Sequence, residues 1–250
     1  MRALILSDIH GNLEALTAVL DAAGSFDALW NLGDLVGYGA SPNQVIDLIR
    51  PLSQLTVRGN HDRVCCGLTS SVGFNPVARA AALWTNRELT PANLAWLRTI
   101  PQGPLHPEFP EITCAHGSPL NEDQYILSMR DAWAPLQQMT TAITFFGHTH
   151  LQGGFSQKNH DWQEIKPHYS TRNDAESLSM TLAPGTRHLI NPGSVGQPRD
   201  YDWRAAFAIY NSDPAEIIFH RVPYDLTAAQ GRILMAGLPE RLAARLREGR

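Results

Sequence analysis

The first dozen residues, Met1-Arg-Ala-Leu-Ile-Leu-Ser-Asp-Ile-His-Gly-Asn12, decide how the rest of the chain is read. Ala3 to Leu6 is an apolar run of strand length, and Asn12 is placed to cap a helix whose apolar positions are Leu13, Leu16, Val19 and Leu20. Asp8 and His10 fall in the turn between them. A single residue between a carboxylate and an imidazole lets both converge on one cation. Alone, Asp-x-His is a weak signal.

Four later stretches repeat the device. Ala28-Leu29-Trp30-Asn31-Leu32 ends in Gly33-Asp34, and Leu55-Thr56-Val57 leads through Arg58-Gly59 to Asn60-His61-Asp62. Ile112-Thr113-Cys114-Ala115 ends in His116-Gly117, and the run from Ile143 to Phe146 ends in Gly147-His148-Thr149-His150. Each predicted strand hands an Asp, Asn or His to the same relative place. Ligands of open α/β sheets bind beyond the carboxyl ends of the strands, so these groups are expected on one rim. The interspersed glycines allow sharp turns and close backbone approach.

Between these strands the sequence reads as helix. Residues 13–23 form the first, with Gly24 as its C-cap, and Ser41-Pro42, Asn75-Pro76 and Thr90-Pro91 each open another by placing proline at the first helical position. Leu83, Trp84, Leu94, Trp96 and Leu97 are expected in the core beneath the last two. Asp131 reads as the cap of a helix running to about Met139. The alternation then stops. Short β-like runs at 151–157, 161–166, 178–182 and 187–190 precede a glycine- and proline-rich turn at 191–199. A hairpin pair at 205–210 and 216–222 follows, then helices at 226–236 and 239–248. The pattern predicts an α/β chain with two sheets, the first mostly parallel. It is expected to be one domain over 1–250, with 151–190 as a β-rich insertion near the site and 226–250 as closing helices.

A hydrophobic fraction of 43% and a charged fraction of 18% describe a folded globular chain, and a formal net charge of −4 gives no global attraction to phosphate polymers. Nucleic acid is therefore not an expected partner. The basic cluster from Arg241 to Arg250 reads as the solvated face of a helix. The three cysteines, Cys65, Cys66 and Cys114, form no Cys-x-x-Cys pair and read as core filler in a reducing compartment. With no signal peptide and no apolar run approaching a membrane span, the expected location is cytoplasmic.

Of ten histidines, His10, His61, His116, His148 and His150 fall in the strand-end turns, while His106, His160, His168, His188 and His220 read as structural or solvated. Asp, Asn and His donors without thiolate suit Mn, Fe or Zn. Seven candidate ligands, Asp8, His10, Asp34, Asn60, His116, His148 and His150, are too many for one ion and right for two if Asp34 bridges. Paired ions about 3.5–4 Å apart are the arrangement used for phosphoryl chemistry.

These five ordered blocks resemble the signature of the calcineurin-like metallophosphoesterases, and the Asn191-Pro-Gly-Ser194 turn resembles their small prokaryotic YfcE-like branch. The resemblance implies two facing mixed β-sheets flanked by helices, a four-layer sandwich. It assigns Asp8, His10, Asp34 and His150 to one divalent transition metal and Asp34, Asn60, His116 and His148 to another. It implies hydrolysis of a phosphate mono- or diester, with a small soluble phosphodiester as the foremost substrate, by a hydroxide held between the ions. His61 is then the general acid, with Asp34 and Arg199 completing the catalytic set. Protein serine/threonine phosphatases carry Asp and Arg shortly after the Gly-Asp block. Here Leu35-Val36-Gly37-Tyr38-Gly39 follows instead, which disfavours a phosphoprotein substrate. A non-catalytic binding module of the same fold would have eroded ligands, and none is missing. Arg58 and Arg63 are further candidates to grip phosphate, and Gly193 and Ser194 are candidate backbone donors to an anion.

Overall fold

The architecture follows from a strand that is apolar on both faces. In β1 (Arg2–Leu6), Leu4 and Leu6 project into one core while Ala3 and Ile5 project into another. Such a strand needs a layer on each side. In the computed structural model, which describes residues 1–109 and 111–250, both layers are present.

β1 pairs in parallel with β2 (Ala28–Asn31), which pairs in parallel with β3 (Leu55–Thr56). On its other edge β1 pairs antiparallel with β10 (Ala205–Ser212), followed by β11 (Ala215–Val222) and β8 (Glu176–Thr181). The second sheet sets β4 (Ile112–Cys114), β5 (Ile143–Phe145) and β9 (Arg187–Asn191) in parallel. β6 (Gly153–Lys158) and β7 (Asp161–Ile165) then extend it antiparallel. Trp30, Phe145, Ile190 and Phe219 fill the space between the sheets.

The outer face of the first sheet is covered by α1 (Leu13–Ala23), α2 (Pro42–Leu52), α4 (Pro76–Glu88), α5 (Pro91–Leu97), α7 (Leu226–Met235) and α8 (Glu240–Glu248). They bury Leu16, Val19, Ile46, Ile49, Ile233 and Leu246 there. The outer face of the second sheet carries α6 (Met129–Gln138), whose Ala132 and Leu136 pack on Phe155 and Leu189. The layers run helix, sheet, sheet, helix, as the resemblance implied. No helix among the described residues is long and apolar enough to cross a membrane.

Local capping behaves as read for α1, α4 and α5. Asn12, Asn75 and Thr90 accept from the backbone N–H groups of Ala15, Ala78 and Asn93 at 3.1, 3.0 and 3.2 Å. Other expectations need correction. The first sheet is mixed rather than mostly parallel, because β10 pairs with β1 and brings β11 and β8 with it. The segment 151–190 is built into both sheets, with β6 and β7 in one and β8 in the other. α6 is capped by Ser128, and Asp131 is the acid that closes a capping box onto the Ser128 amide at 3.0 Å. Residues Asn60–Cys65 form a short helix, α3, rather than an irregular turn. Leu83 is 47% exposed on α4, whereas Leu97 is fully buried.

Candidate metal centre

The loops leaving β1, β2, β3, β4 and β5 meet at one edge of the two sheets. Their backbones are held in an unusual conformation. Asp8, His10, Asp34, His148 and His150 have φ of 53°, 51°, 55°, 66° and 60°, and only Asn159 and Tyr201 join them among described non-glycine residues with positive φ. Left-handed backbone at such positions persists only where the surroundings over-determine it, which is characteristic of functional sites. Here the surroundings are rungs between loops. The amides of Asp8, His10 and Gly147 donate to the carbonyls of Gly33, Asp34 and His116 at 3.0, 2.9 and 2.7 Å. The buried carboxylate of Asp62 accepts from the amides of Asp34, Gly59 and Val36 at 2.8, 3.0 and 3.2 Å. Gly59 is required at that contact, because a Cβ there would overlap the Asp34 carboxylate.

The side chains converge in two groups, Asp8 with His10 and His150, and Asp34 with His116 and His148, all buried. Each imidazole has its Nδ1 spoken for where a partner is present. His10, His116 and His150 face the carbonyls of Val36, Leu32 and Gln197 through Nδ1 at 3.2, 2.8 and 2.6 Å. Donation there fixes the tautomer and turns the Nε2 lone pairs inward. Those lone pairs meet acceptors. His10 Nε2 lies 3.2 Å from His150 Nε2 and 3.6 Å from Asp34 Oδ2. His116 Nε2 lies 3.1 Å from Asn60 Oδ1 and 3.5 Å from the same Asp34 Oδ2. Asp8 turns Oδ2 to Ser7 Oγ and the His148 amide at 2.6 and 3.0 Å, leaving Oδ1 buried with no hydrogen bond and 3.3 Å from His150 Nε2. A buried cluster of facing acceptors fits cations, and a donor set of nitrogen and carboxylate oxygen fits divalent transition metals.

The protonation pattern agrees. Burial opposes charge on Asp34, yet His116, His61 and His10 hold its carboxyl well below the usual range. Burial likewise opposes charge on Asp8, and His150 with His116 overcomes it. Burial pushes His148 down to about 3, helped by the neighbouring His116, and holds His10 and His150 low as well. His116 is the exception to this pattern: burial opposes its charge too, yet the facing Asp34 carboxylate raises it to about 10. Low-lying imidazoles are neutral and ready to ligate.

The calcineurin-like phosphoesterase family model matches residues 1–176. The chain belongs to that family. An uncharacterized protein of Methanocaldococcus jannaschii, MJ0912, is 34% identical over 98% of this chain and 97% of its own. The crystal structure of a metallophosphoesterase from Sphaerobacter thermophilus superposes with a TM-score of 0.83 at 40% identity, covering 100% of this chain and 99% of that one. A protein of Psychromonas ingrahamii named symmetrical bis(5'-nucleosyl)-tetraphosphatase is 31% identical over 44% of this chain and 41% of its own. Members of the family use divalent metals, and this chain offers two His/Asp groups for them.

Around that centre the chain departs from its sequence reading in several places. His61 stands at the rim, its ring 4.4 Å from Tyr38, 4.6 Å from Phe74 and 4.9 Å from His10 between centroids. Its amide donates to Asp34 Oδ1 at 2.8 Å. Gly37 leaves room for it, since a Cβ at that residue would stand 2.6 Å from His61 Nδ1. Tyr125 stacks on His148 at 4.1 Å, and no sequence signal pointed to Tyr38, Phe74 or Tyr125. Arg199 reaches the site, with its amide donating to the His150 carbonyl at 3.2 Å and its guanidinium over the Tyr38 ring. Arg58 and Arg63 do not grip the site. Arg63 pairs with Glu122 and Asp123, and Arg58 with Glu122, so both pin the 118–124 loop. Gly193 and Ser194 are also structural. The Gly193 amide donates to Asn191 Oδ1, and Ser194 Oγ donates to the Asp8 carbonyl. The five remaining histidines lie outside both ligand groups.

Proposed function

We propose that this phosphoesterase hydrolyses phosphate mono- or diesters, with a small soluble phosphodiester as the foremost substrate, at a centre of two divalent transition metals of the Mn, Fe or Zn kind. One observation carries the reading. A single oxygen, Asp34 Oδ2, lies 3.6 Å from His10 Nε2 and 3.5 Å from His116 Nε2, so one carboxylate serves both ligand groups. Asp8, His10, Asp34 and His150 would hold one ion, and Asp34, Asn60, His116 and His148 the other. Such ions, when bound, supply Lewis acidity toward phosphate oxygens and an acidified water.

The chain's own residues supply orientation and a proton. Asp34 joins the two groups and, through the His61 amide, fixes the start of α3. His61 is the proposed general acid toward the leaving alkoxide. Burial, with Arg199 adding to it against Asp34, holds the His61 ring down to about 4, so it is neutral in the resting site. The negative charge of an arriving ester favours the imidazolium that must donate. Arg199 presents a cation to the substrate's phosphate oxygens from the side of His150.

The name of the Psychromonas relative supports phosphate-ester chemistry, and its matched stretch is under half of either chain. The test is hydrolysis of bis(p-nitrophenyl) phosphate beside p-nitrophenyl phosphate by metal-stripped protein titrated with Mn²⁺. Metal-dependent turnover is expected, and the diester-to-monoester ratio sets the ester class. Two bound ions with no turnover of either probe would overturn the proposal.

A further inference from the structure

We propose that Arg199 and Arg245 form a second anion subsite beside the candidate metal centre, and that it receives a further phosphate of the substrate. The preferred ester then carries at least two phosphates, one at the metal centre and one at the arginines. This deepens the phosphoesterase reading and rests on it.

The basic run at 241–250 was expected on a solvated face, and Arg241, Arg247 and Arg250 are exposed. Arg245 departs from it: α8 turns this residue inward, half-buried, with its guanidinium carbon 5.8 Å from the centroid of the Tyr38 ring. The guanidinium of Arg199 lies at the same 5.8 Å from that ring. Tyr38 in turn packs on His10 at 4.6 Å and on His61 at 4.4 Å. Two cations therefore stand one aromatic ring away from a candidate ligand and the candidate acid.

Arg199 has no carboxylate partner. Among the described residues Arg58, Arg63, Arg204, Arg221 and Arg232 each pair with a carboxylate, and Arg199 does not. Arg199 Nε is buried without a hydrogen bond, and its Nη2 meets only Gln197 Oε1 at 3.2 Å and Tyr38 Oη at 3.5 Å, both neutral. Arg245 Nε donates to the main-chain oxygen of Arg250 at 2.6 Å. Burial, then the charge of Arg199, lowers the pKa of Arg245, and Arg241 adds to that repulsion. A ring face offsets a cation modestly, by cation–π attraction, and leaves the charge of Arg199 uncompensated beside that of Arg245. The guanidinium fork matches phosphate oxygens.

The pair is held in place rather than left to swing. The Arg199 amide is tied to the candidate ligand His150. The end of α8 docks on the loop that follows Arg199, with the Tyr201 amide donating to the Gly249 carbonyl at 2.9 Å. Gly249 has φ of 63°, and a Cβ there would stand 2.6 Å from the Asp202 nitrogen, so only glycine allows the approach.

The test compares two chromogenic diesters with the same scissile bond, the 5'-p-nitrophenyl ester of thymidine 5'-phosphate with and without a 3'-phosphate. Wild-type kcat/KM should favour the 3'-phosphorylated probe by about 10- to 100-fold, the size of one charge-assisted contact. Arg245→Met, which keeps the aliphatic stem, should bring that preference close to one, while Arg247→Met on the same helix keeps it. Arg245→Lys, which keeps the charge and loses the fork, should fall between, and it serves if the Met variant does not fold. Equal wild-type rates on the two probes, or an undiminished preference in both Arg245 variants, would overturn the subsite. Titration of metal-free protein with inorganic pyrophosphate gives a readout independent of turnover, and Kd should weaken about tenfold or more in Arg245→Met. If wild type cleaves neither probe, the phosphoesterase reading falls, and the titration alone decides the subsite.

Discussion

His10 and His150 turn their Nε2 atoms toward each other at 3.2 Å while each ring's Nδ1 faces a backbone carbonyl, Val36 for one and Gln197 for the other. Two neutral imidazoles arranged this way oppose lone pair to lone pair. Only a positive charge between or beside them makes the contact favourable, and Asp8 Oδ1 sits 3.3 Å from His150 Nε2 to complete the cradle. A cation held there would offset the strain of positive φ at both histidines.

Removing the shared carboxylate should affect both groups. Asp34→Asn removes the negative charge from the carboxylate whose Oδ2 faces His10 and His116. Metal content by plasma emission spectroscopy is expected to fall at both positions. Retention of two tightly bound ions per chain would refute the bridge.

Removing the proposed acid should separate binding from chemistry. His61→Ala leaves the seven candidate ligands in place, so metal content stays at the wild-type value while kcat drops roughly 10²- to 10⁴-fold, the usual worth of a general acid. Full activity in this variant would remove His61 from the mechanism.

The three thiols should be silent in the folded protein. Cys65, Cys66 and Cys114 are unpaired and fully buried, and burial pushes the Cys114 thiol to above the ordinary range along with the other two. Ellman's reagent is expected to report no rapid reaction in buffer and three thiols in denaturant. Prompt labelling of Cys65 or Cys66 in buffer would show that the floor under α3 opens.

Acid should cost stability at a histidine outside both ligand groups. His220 stacks flat on Phe207 at 4.5 Å with its Nε2 buried and without a partner, and burial, then Arg2, lowers its pKa to about 4. Between pH 6.5 and 4 the unfolded chain binds the proton and the folded one does not, so folding stability falls as pH falls through that window. His220→Leu should flatten the melting temperature of metal-free protein over this range relative to wild type. An identical pH profile would show that His220 is solvated.

Much of the site was legible because each ligand follows its own short strand. Apolar runs ending in Gly-Asp, His-Gly or Gly-His-Thr-His are local patterns, and parallel strands order their carboxyl ends on one edge whatever joins them. Six of the candidate ligands fall into two buried groups, and Asn60 Oδ1 lies 3.1 Å from His116 Nε2 beside the second. What lay outside local pattern was missed. Tyr38 was read as a mere departure from a motif, and it is the ring that links His61 and His10 to Arg199 and Arg245. Arg58 and Arg63 looked available because their acidic partners, Glu122 and Asp123, lie about sixty residues away.

By itself the sequence determined the helix starts, the strand ends and the identity of the donors, since these depend on neighbours within a turn or two of chain. The tertiary structure decided which sheet each late strand joined. The pairing of β10 with β1 spans the length of the chain and is chosen by how the whole apolar surface is best buried. It also decided that α8 closes over the site. The helix buries Leu242, Ala243 and Leu246 against the first core, and that packing carries Arg245 beside Tyr38 and away from the solvent its sequence suggested.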